Sequence, residues 1–162
     1  MEGIKGLLKI RVHRGINLVV CDTLSSDPYV VVTMGDQKVK TGVIKKNINP
    51  VWDDVLTLYI KDPNVPIILT VLDKDTFTVD DKMGEAAIDI KPYMECMKMG
   101  LQNIPNGTQV QRVQPSHTNC LSEESCIVWN DGKMRQDMRL KLRKVERGEV
   151  EIQIEWIDLP TV

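Results

Sequence analysis

The feature that most restricts this chain is a period-two alternation of apolar and polar residues, in short runs separated by turn signals. Leu8, Ile10 and Val12 fall on one face of an extended segment, with Lys9 and Arg11 on the other. Tyr29-Val-Val-Val-Thr-Met34 is β-branched and reads as a more buried strand. Further strands are predicted over 38–43, 55–60, 67–72 and 85–90. Between them stand Gly35-Asp36, Asn49-Pro50, Asp62-Pro63-Asn64 and Asp80-Asp81 as turn signals. Short strands at this spacing, with little helical pattern, predict an all-β antiparallel sandwich. The 162 residues fit one domain, 1–162, with a core of ordinary size.

The rhythm breaks over 91–137, which reads as an insertion before the last two strands. Residues 93–98 predict a short helix, and 102–124, rich in polar and turn residues, predict a long loop. Alternation then returns. Met138, Leu140 and Leu142 interleave with Arg139, Lys141 and Arg143, while Val150, Ile152, Ile154 and Trp156 interleave with glutamates and Gln153. These two runs predict a hairpin that sets a basic row against an acidic one.

Net charge is −2, so nothing draws the whole chain to nucleic acid. No secretory signal or membrane-spanning run is evident, and Cys21, Cys96, Cys120 and Cys126 show no zinc-like spacing. Reduced thiols and a cytosolic or nuclear setting are expected. Nucleophile elbow, P-loop and HExxH signatures are missing, and His13 and His117 lie far apart in sequence. The chain is therefore expected not to be an enzyme.

The informative residues are acidic. Asp22 and Asp27 bracket the segment before the buried strand, and Asp73, Asp75 and Asp81 follow another apolar strand. Two loops at one edge of a sandwich bring these carboxylates together. Oxygen donors of this kind suit Ca²⁺ and not the softer metals. Aspartates are also ordinary turn residues, but carboxylates converging without a cation raise one another's pKa values.

At these positions the sequence resembles a C2 domain. The matching fragments are Ser26-Asp-Pro-Tyr-Val30, Lys40-Thr41, Asn49-Pro-Val-Trp-Asp53, Asp73-x-Asp75 with Asp81 before Met83-Gly84, and Gly148-Glu-Val-Glu-Ile152. The resemblance implies an eight-stranded sandwich with calcium-binding loops at one end. It implies Asp22, Asp27, Asp73, Asp75 and Asp81 as carboxylate ligands, with backbone carbonyls at Thr23 and Lys74. Asp81 is chosen over Asp80 by its place before Met83-Gly84. The insertion and Cys126-Ile-Val-Trp-Asn130 make the chain similar to the plant C2-domain abscisic-acid-related group. That likeness implies calcium-dependent binding to acidic phospholipid and recruitment of abscisic acid receptors to the plasma membrane. Some members are described as GTPase activators.

In such docking, calcium would offset the carboxylates and open an electrostatic switch toward the anionic leaflet. Leu24 and Phe77 stand near loop tips, where membrane insertion and core packing are both open to them. Lys38, Lys40, Lys45 and Lys46 form a basic set, either a solvated face or, by the resemblance, a holder of lipid head groups. Arg139, Lys141 and Arg143 extend the same possibility. Trp129, beside the insertion, is a candidate partner contact. A GTPase-activating role would draw on Arg112, Arg135 or Arg139. A protein-interaction adaptor with purely structural calcium is the alternative. The expected location is cytoplasmic, peripheral at the plasma membrane, with the nucleus as a second site.

Overall fold

A computed structural model describes residues 5–21 and 26–159. Among them, ten strands and one helix follow one another: β1 (Gly6–Ile16), β2 (Pro28–Met34), β3 (Gln37–Lys40), β4 (Val51–Ile60), β5 (Ile67–Asp73), β6 (Asp81–Ala87), α1 (Lys91–Lys98), β7 (Thr108–Val113), β8 (Ser125–Asn130), β9 (Lys133–Lys141) and β10 (Glu149–Asp158). Two antiparallel sheets form, one ordered β4-β1-β10-β9-β8-β7 and the other β3-β2-β5-β6. The all-β sandwich expected from the alternation is therefore present, with ten strands and not eight. The two extra strands, β7 and β8, lie within 91–137, the stretch read from the sequence as an insertion. Its middle holds β7 and leads into β8, where a long loop was expected. Its first part is the expected helix, α1.

The alternation dictates the packing. Leu8, Ile10 and Val12 of β1 are buried, as are Val150, Ile152, Ile154 and Trp156 of β10. β1 pairs with β10 on one side and β4 on the other, with Ile10 opposite both Ile154 and Leu56. Val30, Val32 and Met34 of β2 and Leu69 and Val71 of β5 supply the facing layer. The expected basic-on-acidic hairpin forms, with Arg139 opposite Glu151 and Lys141 opposite Glu149. A bulge between Val12 and Arg14 goes with a left-handed Asp53 (φ 50) on β4.

Two side chains join the elements where backbone pairing stops. Gln37 of β3 donates to the Tyr59 carbonyl at 2.7 Å and accepts from the Tyr59 amide at 2.8 Å, linking the sheets. The buried hydroxyl of Tyr93 in α1 donates to the Met134 carbonyl at 2.6 Å and accepts from the Trp156 amide at 2.9 Å. It sits where the β9–β10 ladder ends, just past Glu155 opposite Arg135. One hydroxyl thus satisfies two buried backbone groups and pins α1 to both strands.

Tyr93→Phe keeps the ring and removes both bonds. Leaving buried backbone groups unmatched costs about 1–3 kcal/mol. The expected outcome is a melting temperature lower by several degrees, read by circular dichroism.

Candidate functional site

Three loops meet at one end of the sandwich: the first joins β1 to β2, the second joins β3 to β4, and the third joins β5 to β6. Backbone hydrogen bonds lash the first two together. Leu18 N donates to Ile48 O, Asn47 N to Ser26 O, and Ile44 N to Pro28 O. The Ser26 hydroxyl is buried, donating to Val19 O and accepting from Cys21 N. The Trp52 indole N–H donates to Pro28 O at 3.0 Å, and the Thr41 hydroxyl accepts from Val30 N at 2.9 Å. These contacts account for the Ser-Asp-Pro-Tyr-Val, Lys-Thr and Asn-Pro-Val-Trp fragments: each holds one loop base on its neighbour.

The acidic residues are placed on this frame. Pro28 at the start of β2 stands opposite Asp73 at the end of β5, and Asp73 stands opposite Asp81 at the start of β6. Asp73 is only 2% exposed, and its Oδ1 accepts the Asp27 amide at 2.8 Å. Lys74 N donates back to the Asp27 carbonyl at 3.0 Å, and Asp27 Oδ1 accepts from Lys46 N at 2.8 Å. Asp27 therefore ties all three loops together. Asp75 folds over its own loop, its Oδ1 accepting from Phe77 N and its Oδ2 from the Thr78 hydroxyl at 2.6 Å. These donors hold the Asp75 carboxyl below the ordinary value, the Thr78 hydroxyl most of all.

Asp80 is the residue that sequence reasoning passed over. Its Oδ1 accepts from the Asp75 amide at 2.8 Å, and its Oδ2 accepts from the Tyr29 hydroxyl, with the Lys74 ammonium 3.8 Å away. The Tyr29 hydroxyl is the largest influence holding Asp80 low, followed by the Asp75 amide. Burial, then the Asp80 bond, pushes Tyr29 up to about 12. Asp80 thus closes the third loop from inside, while Asp81 is exposed on the strand. The available signal was Tyr29, which shares β2's outer face at a position opposite Leu72, one residue from Asp73.

Asp22, Thr23 and Leu24 lie outside the described residues. Among the described residues, no three carboxylates, imidazoles or thiols gather closely enough to hold a metal. The donors that do line the loop bases are carboxylates and carbonyls, the kind a hard cation takes. In kind they fit Ca²⁺. Asp27, Asp73, Asp75 and Asp81 with the Lys74 carbonyl are the described part of that set.

Around the acids, Phe77 is 94% exposed, so of its two readings core packing is not what this structure shows. Val79, which sequence reasoning missed, is 89% exposed beside it. Lys38 and Lys40 are exposed on β3, and Lys45 and Lys46 are exposed on the second loop. Arg139 and Lys141 belong to the other sheet, so they do not continue the β3 row. Arg139 is flanked by Glu123, Glu149 and Glu151 at 3.6–3.8 Å. Trp129 is partly buried against the core. A groove of about 650 Å³ on the outer face of the six-stranded sheet is lined by charges that already pair, among them Arg11 with Asp53 and Glu151 with Arg14. No helix among the described residues is long and apolar enough to cross a membrane.

Residues 6–110 match the C2 domain family. Over 160 residues the chain is 58% identical to Protein C2-DOMAIN ABA-RELATED 5 of Arabidopsis thaliana, covering 99% of this chain and 80% of the relative. The chain belongs to the C2-domain ABA-related family. It is 60% identical to Protein C2-DOMAIN ABA-RELATED 10 of the same plant, covering 93% of this chain and 85% of the relative. GTPase activating protein 1 of Oryza sativa subsp. indica is 55% identical, covering 96% and 93%. A C2 domain of plant Extended Synaptotagmin 1 shares the fold, with TM-score 0.64 at 20% identity over 96% of this chain and 97% of that one. The calcium-bound pair of C2 domains from Extended-Synaptotagmin 2 does so with TM-score 0.65 at 22% identity over 98% of this chain, which spans 48% of that one.

Asp80→Ala removes the acceptor of both Tyr29 and the Asp75 amide. In chelator, the Asp75 amide should exchange with solvent faster than in the wild type. Because their hydrogen-bond donors hold the folded Asp75 and Asp80 carboxyls below the ordinary carboxylate value, their contribution is full above that value and fades as pH falls through the lower folded values. Acidification of the wild type should reproduce the same loosening.

Proposed function

We propose that this chain is a calcium-responsive module that docks on acidic phospholipid membranes and brings protein partners there. The carrying observation is the shared location of Asp27, Asp73, Asp75 and Asp81 with Phe77 and Val79, the two most exposed large apolar side chains among the described residues. On this reading all of 1–162 is one C2 unit, and 91–137 is its family insertion. Asp22, Asp27, Asp73, Asp75 and Asp81, with the Thr23 and Lys74 carbonyls, would hold calcium. Bound calcium supplies positive charge and open coordination positions for anionic head groups. The protein's own part is to hold the loops in place, present Leu24, Phe77 and Val79 to the interface, and offer Lys38, Lys40, Lys45 and Lys46 to lipid phosphates. Several weak signals of this kind suit reversible attachment. The module works at the cytoplasmic side of the plasma membrane, with the nucleus as a second site, and is not itself an enzyme.

The names of the relatives, ABA-related, support abscisic acid signalling as the setting; abscisic acid receptors as the recruited partners are what the family resemblance implies. The rice relative's name supports a second reading, activation of a GTPase partner. An arginine donated to such a site must be exposed. Arg112 and Arg135 are exposed, whereas Arg139 is half-buried among glutamates. Arg135→Ala or Arg112→Ala should abolish any rise in the partner's hydrolysis rate. A rise that survives both changes sinks the arginine-donation reading.

The docking reading is tested by sedimentation with phosphatidylserine vesicles. Binding should appear with calcium, vanish in chelator, and fall at least tenfold in Asp75→Asn. Equal binding under all three conditions overturns it. Calcium at about 100 times its dissociation constant should add roughly 2.7 kcal/mol of stability, visible as several degrees.

A further inference from the structure

The loop end of the sandwich carries a fourth loop. β9 ends at Lys141 and β10 begins at Glu149, which stands opposite Ile16, the last residue of β1. The connection 142–148 therefore turns at the same end as the three acidic-site loops. Its sequence is Leu-Arg-Lys-Val-Glu-Arg-Gly, with Arg143, Lys144, Glu146 and Arg147 all exposed.

This loop is built to a fixed shape. Arg143 exchanges two backbone hydrogen bonds with Glu85 of β6, at 3.1 and 2.7 Å, and Leu142 N donates to Gly148 O at 3.0 Å. Lys144 is left-handed at φ 63. Val145 and Leu142 press on Gly84, where an added Cβ would lie 2.8 Å from the Val145 side chain. The Arg147 guanidinium donates to the Leu18 carbonyl at 3.3 Å, which ties the loop to the start of the first loop. The Arg143 guanidinium donates to the His117 carbonyl at 2.7 Å. Glu85 lies 3.3 Å from the Lys144 ammonium, whose side chain remains 75% exposed.

These bonds engage carbonyls and one carboxylate, leaving a net positive loop. With Lys45 and Lys46 on the second loop, Lys74 on the third and Lys82 on β6, cations surround the acidic centre on several sides. We propose that loop 142–148 is a further contact of this end with an anionic bilayer leaflet, Arg143, Lys144 and Arg147 facing the head groups. The proposal rests on the docking reading above and extends it to residues outside the metal loops and outside the β3 lysines. Two observations commit it to a lipid leaflet: the sign of its charge, and its bonds to β6 at Glu85 and to the first loop at Leu18, the elements that lead into and out of the acidic end. Because the loop carries its charge without metal, its attraction operates before calcium arrives.

The test compares full-length chains on phosphatidylserine/phosphatidylcholine vesicles with calcium, across a salt series. The triple change Arg143→Gln, Lys144→Gln and Arg147→Gln should weaken binding at least tenfold and flatten its salt dependence, while the calcium-induced thermal shift stays unchanged. Charge-retaining Arg143→Lys, Lys144→Arg and Arg147→Lys should bind like the wild type. A charge-matched change at the other end, Lys61→Gln, Lys91→Gln and Lys98→Gln, should have little effect. Lys144→Gln alone leaves the loop's carbonyl bonds intact and should weaken binding two- to fivefold. Wild-type binding with equal binding by the triple-Gln chain overturns this proposal and leaves docking standing. Equal loss in the charge-retaining or opposite-end variants also overturns it. Absence of wild-type binding overturns both readings.

Discussion

β1 is hydrogen-bonded along its length to β10 on one side and β4 on the other, and most of the architecture follows from that placement. Among the described residues, the first and last strands become interior strands of the larger sheet, so both must be apolar on their inner faces. Leu8, Ile10 and Val12 meet that demand, as do Ile152, Ile154 and Trp156. Fixing Ile16 opposite Glu149 also decides which end of the sandwich each connection occupies. The loops after β1, β3, β5 and β9 then share one end without any contact among their side chains being required. Packing sets the positions first, and chemistry is added to them.

The acidic end shows how that addition works. Asp73 is buried and partnered, so it serves the frame as much as any ligand: it fixes the Asp27 amide, and Asp27 in turn fixes Lys46 and Lys74. Asp80 and Tyr29 hold the third loop shut from within. A loop whose backbone is already ordered loses less conformational entropy on binding a ligand than a slack one. The apolar tip residues Phe77 and Val79 stand out from this frame because the carboxylates inside it bond the backbone beneath them.

The parts of the fold that were legible in the sequence are those with one buried face. Period-two alternation marks a strand only where inner and outer residues differ, as in β1, β9 and β10. β7, Thr-Gln-Val-Gln-Arg-Val at the sheet's edge, is intermediate or exposed throughout, so its polar composition read as loop. β8 lies just past the predicted loop, where no strand was predicted, although Ser125 and Ile127 are buried. The choice between Asp80 and Asp81 turned on a motif position. Yet neighbouring residues on an extended chain face opposite ways, so one step separates an acid that closes the loop from one exposed on the strand. Arg139 shows both sides of this: Glu149 and Glu151 beside it were legible in the paired basic and acidic rows, whereas Glu123, from a distant segment, was not.

Gln37 carries a consequence beyond joining the sheets. β4 is an edge strand, and an unpaired stretch of edge is a template on which another chain can add a strand. The Gln37 carboxamide offers Tyr59 one acceptor and one donor, as a neighbouring strand's peptide group would. It is a stopper made of side chain, occupying the slot a second molecule would need. On the docking proposed above, which would gather the molecules at high density on a surface, such a stopper separates crowding from aggregation. Attachment can concentrate the molecules without zipping them together along this strand.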